Sequence, residues 1–114
     1  MNPALSKIAK KGKLSIGILL PIESYQGAVP TLENHVQLAQ RAEELGFKSL
    51  WFRDVPFLDP NFGDVGQILD PLVYMGYLAA KTKKIVFATG SIILTLRHPI
   101  NIAKGVAILS VYLQ

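Results

Sequence analysis

Three apolar runs, each followed by a segment with apolar residues at helical spacing, set the pattern of the chain. The apolar runs cover residues 14–22, 47–55 and 85–94, and such near-continuous runs are typical of strands that are buried on both faces. The helical segments cover residues 32–45, 70–83 and the stretch from Pro99 onward. Strand and helix alternate three times, which predicts parallel strands joined by right-handed helical crossovers.

Capping residues place the ends of these helices. Thr31 is a candidate N-cap and Gly46 a candidate C-terminal cap for the helix over 32–45. Asp70 followed by Pro71 predicts the start of the next helix. The helix that begins at Pro99 is predicted to face inward with four apolar residues and two further candidates: Ile102, Ala103, Val106, Ala107, then Leu109 and Leu113.

Length limits how much of a parallel fold the chain can build. A complete (β/α)₈ barrel needs about 250 residues, whereas this chain has 114. The predicted fold class is therefore α/β, with about three βα units that do not close a sheet by themselves. An open sheet edge and uncovered apolar faces promote association, so a homo-oligomer is expected.

Composition excludes several classes of protein. Half of the residues are hydrophobic and 18% are charged, which excludes a disordered chain. The net charge of +4 is concentrated at the front, where Lys7, Lys10, Lys11 and Lys13 define residues 1–13 as a basic extension ahead of a domain over 14–114. Basic residues do not follow one face with interleaved aromatics, so nucleic acid is not an expected partner. Without cysteine, disulfides and thiolate metal sites are excluded.

The lysines followed by an apolar run superficially resemble a signal peptide. Ser15 and Gly17 interrupt the run, and no convincing cleavage site follows, so a first buried strand is the favoured interpretation. No apolar segment approaches the roughly 20 residues that span a bilayer. A cytoplasmic protein without membrane association is expected.

A small polar break, Thr89-Gly90-Ser91, interrupts the third apolar run. Glycine lets a ligand approach the backbone closely, and ligands of α/β folds sit at the carboxyl ends of the strands. The break therefore predicts a small-molecule pocket. Other chemistries lack a motif: there is no phosphate-binding glycine loop after a strand, no cluster with metal-ligand spacing and no nucleophile elbow.

Three segments carry a resemblance to a known family: AEELGFKSLWFRD at 42–54, DPLVYMGYLAAKTKKI at 70–85 and ATGSIILTLRHPINIAK at 88–104. Over residues 14–112 the chain resembles the amino-terminal part of the luciferase-like flavin-dependent monooxygenases. The resemblance implies that residues 14–114 form an incomplete (β/α)₈ TIM barrel of about three βα units, the amino-terminal part of a complete barrel domain. It also implies that the complete barrel binds FMN, with a deazaflavin as the alternative, and oxidises a small organic substrate with O₂.

The resemblance also implies site residues. Thr89, Gly90, Ser91 and Ile92 would lie behind the isoalloxazine ring, with a non-proline cis peptide expected at Ser91-Ile92; a plain β-bulge or strand end is the alternative. Arg53 and Asp54 would line the mouth of the pocket, or form a structural pair at the strand end.

Other residues receive a structural interpretation. Luciferases carry a functional histidine just after the second strand, where this chain has Val55 and Pro56, which puts light emission in doubt. His98 is interpreted as part of a helix start rather than as an acid or base. His35 is expected to face solvent or a neighbouring helix, and Trp51 to belong to the core.

Two functions remain open at this stage. The chain is the amino-terminal part of a flavin-dependent monooxygenase, or it is a catalytically inactive, truncated barrel fragment that self-associates. In the family the flavin phosphate is held mostly by later strands and loops, so this chain alone is expected to be inactive.

Overall fold

The computed structural model describes residues 3–22, 30–57, 61 and 69–112 of the chain. Its elements follow one another as α1 (Pro3–Ile8), β1 (Gly17–Leu19), α2 (His35–Glu44), β2 (Ser49–Phe52), α3 (Pro71–Ala79), β3 (Val86–Thr89), a 3₁₀ turn (Leu94–Leu96) and α4 (Pro99–Tyr112). The three strands form one open parallel sheet in the order β1-β2-β3. This confirms the predicted α/β class and the three parallel βα units.

Helices cover one face of the sheet, and the other face is open toward the carboxyl ends of the strands, whereas Ser49 and Val86 nearer its amino end are buried. Side chains alternate between the faces of a strand, and Leu50 and Phe52 of β2 lie on the helix-covered face, at 0% and 1% exposure. Phe52 packs edge-on against Tyr74 of α3, with ring centroids 5.3 Å apart. The core cluster on this face consists of ten buried residues: Leu20, Ala39, Ala42, Leu50, Phe52, Tyr74, Met75, Leu78, Ile85 and Leu109.

The opposite, open face carries the alternate residues. Gly17, Ser49 and Val86 lie side by side in register, and Leu19, Trp51 and Ala88 form the next row toward the carboxyl ends of the strands. Leu19 is 53% exposed and Trp51 is half-buried. In a closed barrel this face points to the interior.

The start of α2 corrects the sequence prediction. The helix begins at His35 rather than Leu32, and its N-cap residue is Asn34, not Thr31. Leu32 and Asn34 both have positive φ, near 60°, which breaks the helical path before His35. Thr31 accepts a hydrogen bond from the Glu33 backbone N–H instead, a local turn that competes with the helix.

The start of α3 confirms the Asp70-Pro71 signal. One carboxylate oxygen of Asp70 accepts hydrogen bonds from the backbone N–H groups of Leu72 and Val73, at 3.0 and 3.1 Å. Pro71 at the first helical position loses no hydrogen bond, because that N–H has no partner within a helix. The cap is local in sequence, and for that reason it was predictable.

The inward face of α4 was predicted wrongly in part. Leu109 is buried and packs against α3, where its side chain lies 3.9 Å from the position of a Cβ built on Gly76. Ala103, Val106 and Ala107 are exposed, because α4 turns its Gly105 and Leu109 side toward α3. Leu113 lies outside the described residues.

None of the described helices is long and apolar enough to cross a bilayer.

Candidate functional site

The carboxyl ends of the three strands meet at one edge of the sheet, which we call the carboxyl edge. Leu20, Asp54 and Gly90 follow β1, β2 and β3 there. The Gly90 N–H donates to the Phe52 carbonyl oxygen at 2.7 Å, so the predicted break is tied directly to the end of the neighbouring strand. The parallel sheet thus brings the break and the Arg53-Asp54 pair to the same edge.

The break residues leave the backbone accessible. Gly90 and Ser91 are exposed, and Thr89 and Ile92 are half-buried. A Cβ on Gly90 would lie 3.6 Å from the Phe52 carbonyl oxygen and 3.9 Å from Leu19 Cδ1, which are ordinary contact distances. Crowding therefore does not require a glycine at position 90, and the position of a Cβ atom there has room.

The expected cis peptide at Ser91-Ile92 is not found. Among the described residues, the cis peptide bond is Leu20-Pro21. A non-proline cis bond costs about 3 kcal/mol and persists only where surrounding groups impose it. Ser91 is exposed, an environment that does not by itself impose the costlier cis form.

Trp51 lies on the open face and does not belong to the core cluster, contrary to prediction. Its indole N–H donates to the Ser49 hydroxyl at 2.9 Å, which holds the ring along the sheet. A methyl group on Gly17 would collide with Ser49 Oγ and would lie 2.6 Å from Trp51 Nε1. The glycine in β1 therefore makes room for the indole.

Arg97 joins two acidic residues at the carboxyl edge. Its Nη2 and Nε atoms lie 2.8 and 3.1 Å from the two carboxylate oxygens of Asp54, and its Nη1 lies 2.6 Å from Asp70 Oδ2. Asp54 also accepts a hydrogen bond from the Ile93 backbone N–H at 2.9 Å. One guanidinium thus connects the end of β2, the start of α3 and the segment that follows β3.

Burial makes the Asp54–Arg97 pair the stronger half of this network. The Asp54 side chain is 4% exposed, against 39% for Asp70. Hydrogen bonding from Arg97 lowers the pKa of Asp54 below its usual value against the opposing effect of burial. Burial alone would raise the pKa of Asp70, but the hydrogen bonds from Arg97 and from its capped backbone N–H groups lower it. The two carboxylates, Asp54 first, raise the pKa of Arg97.

Sequence reasoning missed this partner. Asp54 forms an ion pair with Arg97 and not with the adjacent Arg53 of the structural alternative, and the role of Arg53 and Asp54 at a pocket mouth stays a prediction. Arg53 is half-buried at the strand end. The sequence signal for this ion pair was Arg97 in the Arg-His-Pro motif. The motif follows β3, whose carboxyl end lies beside that of β2 in a parallel sheet.

The two histidines take structural positions. His98 is exposed, and its Nδ1 accepts from the Ile100 backbone N–H at 3.3 Å, which confirms its role at the start of α4. His35 is 4% exposed and contacts the neighbouring helix through the Tyr74 hydroxyl. Within the described ranges, no group of three or more potential metal ligands occurs.

The described residues fit the ring of the flavin that the resemblance implies. Exposed backbone at Gly90 and Ser91 lies beside the apolar Leu19 side chain, an arrangement suited to a flat, largely apolar ring. In the part of the chain that the structure describes, the cations at this edge are Arg53 and Arg97, and Arg97 is already held by two carboxylates. The fit concerns the ring and not the phosphate.

Comparison with known proteins agrees with this geometry. The chain is 35% identical over 83 residues to the N-acetyl-S-alkylcysteine monooxygenase of Bacillus subtilis strain 168, which is 73% of this chain and 23% of that protein. It is 32% identical over 74 residues to the alkanal monooxygenase alpha chain of Photorhabdus laumondii, covering 65% of this chain and 19% of that protein. The chain thus spans about a quarter or less of the length of these relatives. The family model for luciferase-like monooxygenases matches residues 14–112, and the chain belongs to that family.

Proposed function

We propose that this chain supplies the amino-terminal, ring-facing part of the FMN pocket of a luciferase-like monooxygenase that acts on a small organic substrate with O₂. The observation that carries the proposal is the open backbone at Gly90, which lies at the carboxyl edge of a parallel sheet beside an exposed Leu19. Ligands of such folds bind at this edge. The family membership supports the same chemistry.

Residues of the break would take the role of a flat support. Thr89, Gly90, Ser91 and Ile92 present backbone to the ring, and Arg53 and Asp54 lie at the mouth of the same edge. Asp54 acts through Arg97 and the Ile93 N–H, which together hold the segment after β3 in place. A bound reduced flavin supplies the electrons for oxygen activation, and the chain contributes orientation and exclusion of water.

The substrate is proposed only as a class. One relative is named for an N-acetyl-S-alkylcysteine and another for an alkanal. Both names describe small organic molecules. The side chains of Leu19, Ile92 and Trp51 lie at or near this edge and would offer apolar contacts to such a compound.

A flavin titration tests the proposal. The 114-residue chain is titrated into FMN while flavin fluorescence is followed, and the experiment is repeated with riboflavin and with a deazaflavin. We expect saturable quenching by micromolar protein with FMN and riboflavin. Gly90→Leu places a side chain where the ring would lie and should weaken binding about tenfold or more. Ala107→Leu adds the same side chain at an exposed α4 position and should leave binding unchanged.

The absence of quenching up to millimolar protein would contradict flavin binding by this chain. Equal loss of binding in both leucine variants would contradict the site at Gly90. Binding of the deazaflavin in preference to FMN would assign the pocket to the other cofactor class.

A second candidate, an inactive barrel fragment that self-associates, is favoured by the open sheet. β1 and β3 are edge strands in the described sheet, and apolar side chains such as Ile108 and Val111 of α4 are 59% and 68% exposed. Sedimentation equilibrium distinguishes the states: a mass that rises above 12.5 kDa with concentration, without flavin binding, would favour this candidate. A constant mass of 12.5 kDa would contradict it.

The remaining proposals concern location and boundary. The proposed location is the cytoplasm. It is supported by the pairing of residues 17–19 with β2, because the amino-terminal apolar run then contributes a strand to the fold rather than a signal peptide. A domain boundary after residue 13 is also proposed, and the family match that begins at residue 14 supports it.

A further inference from the structure

The edge of the sheet opposite the carboxyl edge, which we call the amino edge, gathers most of the positive charge of the chain. Parallel strands all begin at the same edge, so the residues that precede each strand lie together. Eight of the twelve basic residues precede a strand in this way: Lys7, Lys10, Lys11 and Lys13 before β1, Lys48 before β2, and Lys81, Lys83 and Lys84 before β3. The family resemblance assigns no role to this edge.

A small cavity lies at the amino edge, between α1 and the start of β3. Its volume is about 50 Å³, and it is lined by three lysines (Lys7, Lys83 and Lys84) together with Ala4, Thr82 and the residues that open β3. On this measure about 10–15 Å³ is enough to hold one water molecule. The cavity therefore has room for a group of several heavy atoms, such as a phosphate.

The lysine charges at this cavity are poorly balanced by acidic residues. The salt bridges formed by the described residues join Arg41 to Glu44 and Arg97 to Asp54 and Asp70, and none involves a lysine. Glu43 hydrogen-bonds to the backbone of lining residues 83–85 and interacts electrostatically with Lys84. Among the described residues, this one carboxylate beside three lysines leaves an excess of positive charge.

Glu43 itself is committed to the backbone. Its carboxylate accepts hydrogen bonds from the backbone N–H groups of Lys83 and Ile85 at 2.9 and 2.8 Å, and from that of Lys84. These bonds fix the turn that carries Lys83 and Lys84, and both lysine side chains are exposed. The backbone at the cavity is thus ordered independently of any ligand.

From these observations we propose that the amino-edge cavity binds a phosphate group, either inorganic phosphate or the terminal phosphate of a small phosphomonoester. A compact dianion matches the size of the cavity and the excess charge, and lysine binds phosphate as a point charge. The site lies at the opposite edge of the sheet from Gly90. It does not depend on flavin binding at the carboxyl edge.

The test follows backbone amide resonances of the 114-residue chain by NMR while sodium phosphate is added at constant ionic strength. We expect saturable shifts at residues 82–85 with a dissociation constant of about 1 mM. Lys7→Ala and Lys83→Ala should each weaken binding about fivefold or more. Neither removes the backbone N–H groups that Glu43 holds. Lys104→Ala removes one exposed lysine on α4 and should leave binding unchanged.

Two further arms identify the ligand. Methyl phosphate in place of inorganic phosphate shows whether a phosphomonoester enters, and chloride at the same ionic strength measures screening alone. The site would be overturned if chloride produced the same amide shifts as phosphate, or if Lys104→Ala weakened binding as much as Lys7→Ala and Lys83→Ala do. Either result would show general attraction of anions to a basic surface. The site would also be overturned if residues 82–85 showed no shifts up to about 20 mM phosphate, which is about 20 times the expected dissociation constant.

Discussion

At the scale of single residues, Asp54 is the side chain that most decides the geometry of the carboxyl edge. It is nearly buried and links Arg97 to the Ile93 backbone N–H, 43 and 39 residues along the chain. Breaking a buried ion pair leaves a charged group without compensation, which costs far more than breaking an exposed pair. The segment that follows the Gly90 break therefore depends on one carboxylate.

The first prediction concerns Asp54→Asn. The variant keeps the shape of the side chain but loses the charge that pairs with Arg97, and we expect the free energy of unfolding to fall by about 2–3 kcal/mol. Glu44→Gln breaks the Arg41–Glu44 pair, whose side chains are both 65% exposed, and should cost less than about 0.5 kcal/mol. Urea unfolding measures both. Similar losses in the two variants would contradict a dominant role for Asp54.

The second prediction concerns pH. The pKa of Asp54 is lowered by the hydrogen bonds from Arg97, and that of Asp70 is lowered although its burial acts in the opposite direction. The unfolded chain therefore binds protons at a higher pH than the folded chain does, so the free energy of unfolding falls as the pH drops. We expect constant stability above about pH 5 and a progressive loss as the pH falls through the usual carboxyl value of 3.8 and below.

Urea unfolding at constant ionic strength from pH 7 to pH 3 tests this dependence. Asp54→Asn lacks one of the shifted carboxyl groups, so its stability should fall less steeply with acid. A variant curve parallel to that of the native sequence would show that Asp54 does not contribute to the acid dependence.

At the scale of elements, the sequence predicted features that depend on neighbouring residues and missed several features that depend on contacts between distant segments. The Asp70 cap of α3 uses residues two and three positions away, so the sequence predicted it. The true start of α2, the Arg97 partner and the α3-facing side of α4 depend on backbone turns or on residues far along the chain. Periodicity identified the helices, but it could not choose which side of α4 faces α3, because this helix carries apolar residues all round.

The third prediction concerns the link between α2 and β3. Glu43 of α2 accepts hydrogen bonds from three successive backbone N–H groups just before β3. Burial would raise the pKa of Glu43, but these bonds lower it overall. Glu43→Ala should lower the free energy of unfolding by about 1–3 kcal/mol and speed amide exchange at residues 83–85. Gln37→Ala, at an exposed position of the same helix, should change neither. Unaltered exchange in the Glu43 variant would argue against the link.

The fourth prediction compares two glycines of the open face. Gly17→Ala places a methyl group against Ser49 and Trp51 and should cost about 1–3 kcal/mol. Gly90→Ala meets its neighbours only at 3.6 Å and beyond and should change stability by less than about 1 kcal/mol. Thermal unfolding of the two variants gives the comparison. A larger loss at Gly90 than at Gly17 would mean that the carboxyl edge is crowded rather than open.

At the scale of the whole molecule, the chain is an open, charge-polarised sheet with helices on one face. The radius of gyration is 14.5 Å, against about 13 Å expected for a compact domain of this length. Lysines gather at the amino edge, and Asp54 and Asp70 lie at or beside the carboxyl edge. The sequence predicted the class and strand direction from its repeated strand and helix pattern. The charge separation was missed from the sequence, because the prediction assigns the amino-terminal lysines to an extension and does not place them with the lysines that precede β2 and β3.

The fifth prediction locates flavin binding on the molecule and tests the central claim most directly. Backbone amide shifts of the 114-residue chain are mapped by NMR during addition of riboflavin and, separately, of FMN. Riboflavin lacks a phosphate, so its shifts report the ring site alone. We predict shifts at residues 89–92 and at Arg53 with both ligands. Riboflavin shifts confined to other parts of the chain, or none at millimolar concentration, would contradict a flavin pocket at the Gly90 edge.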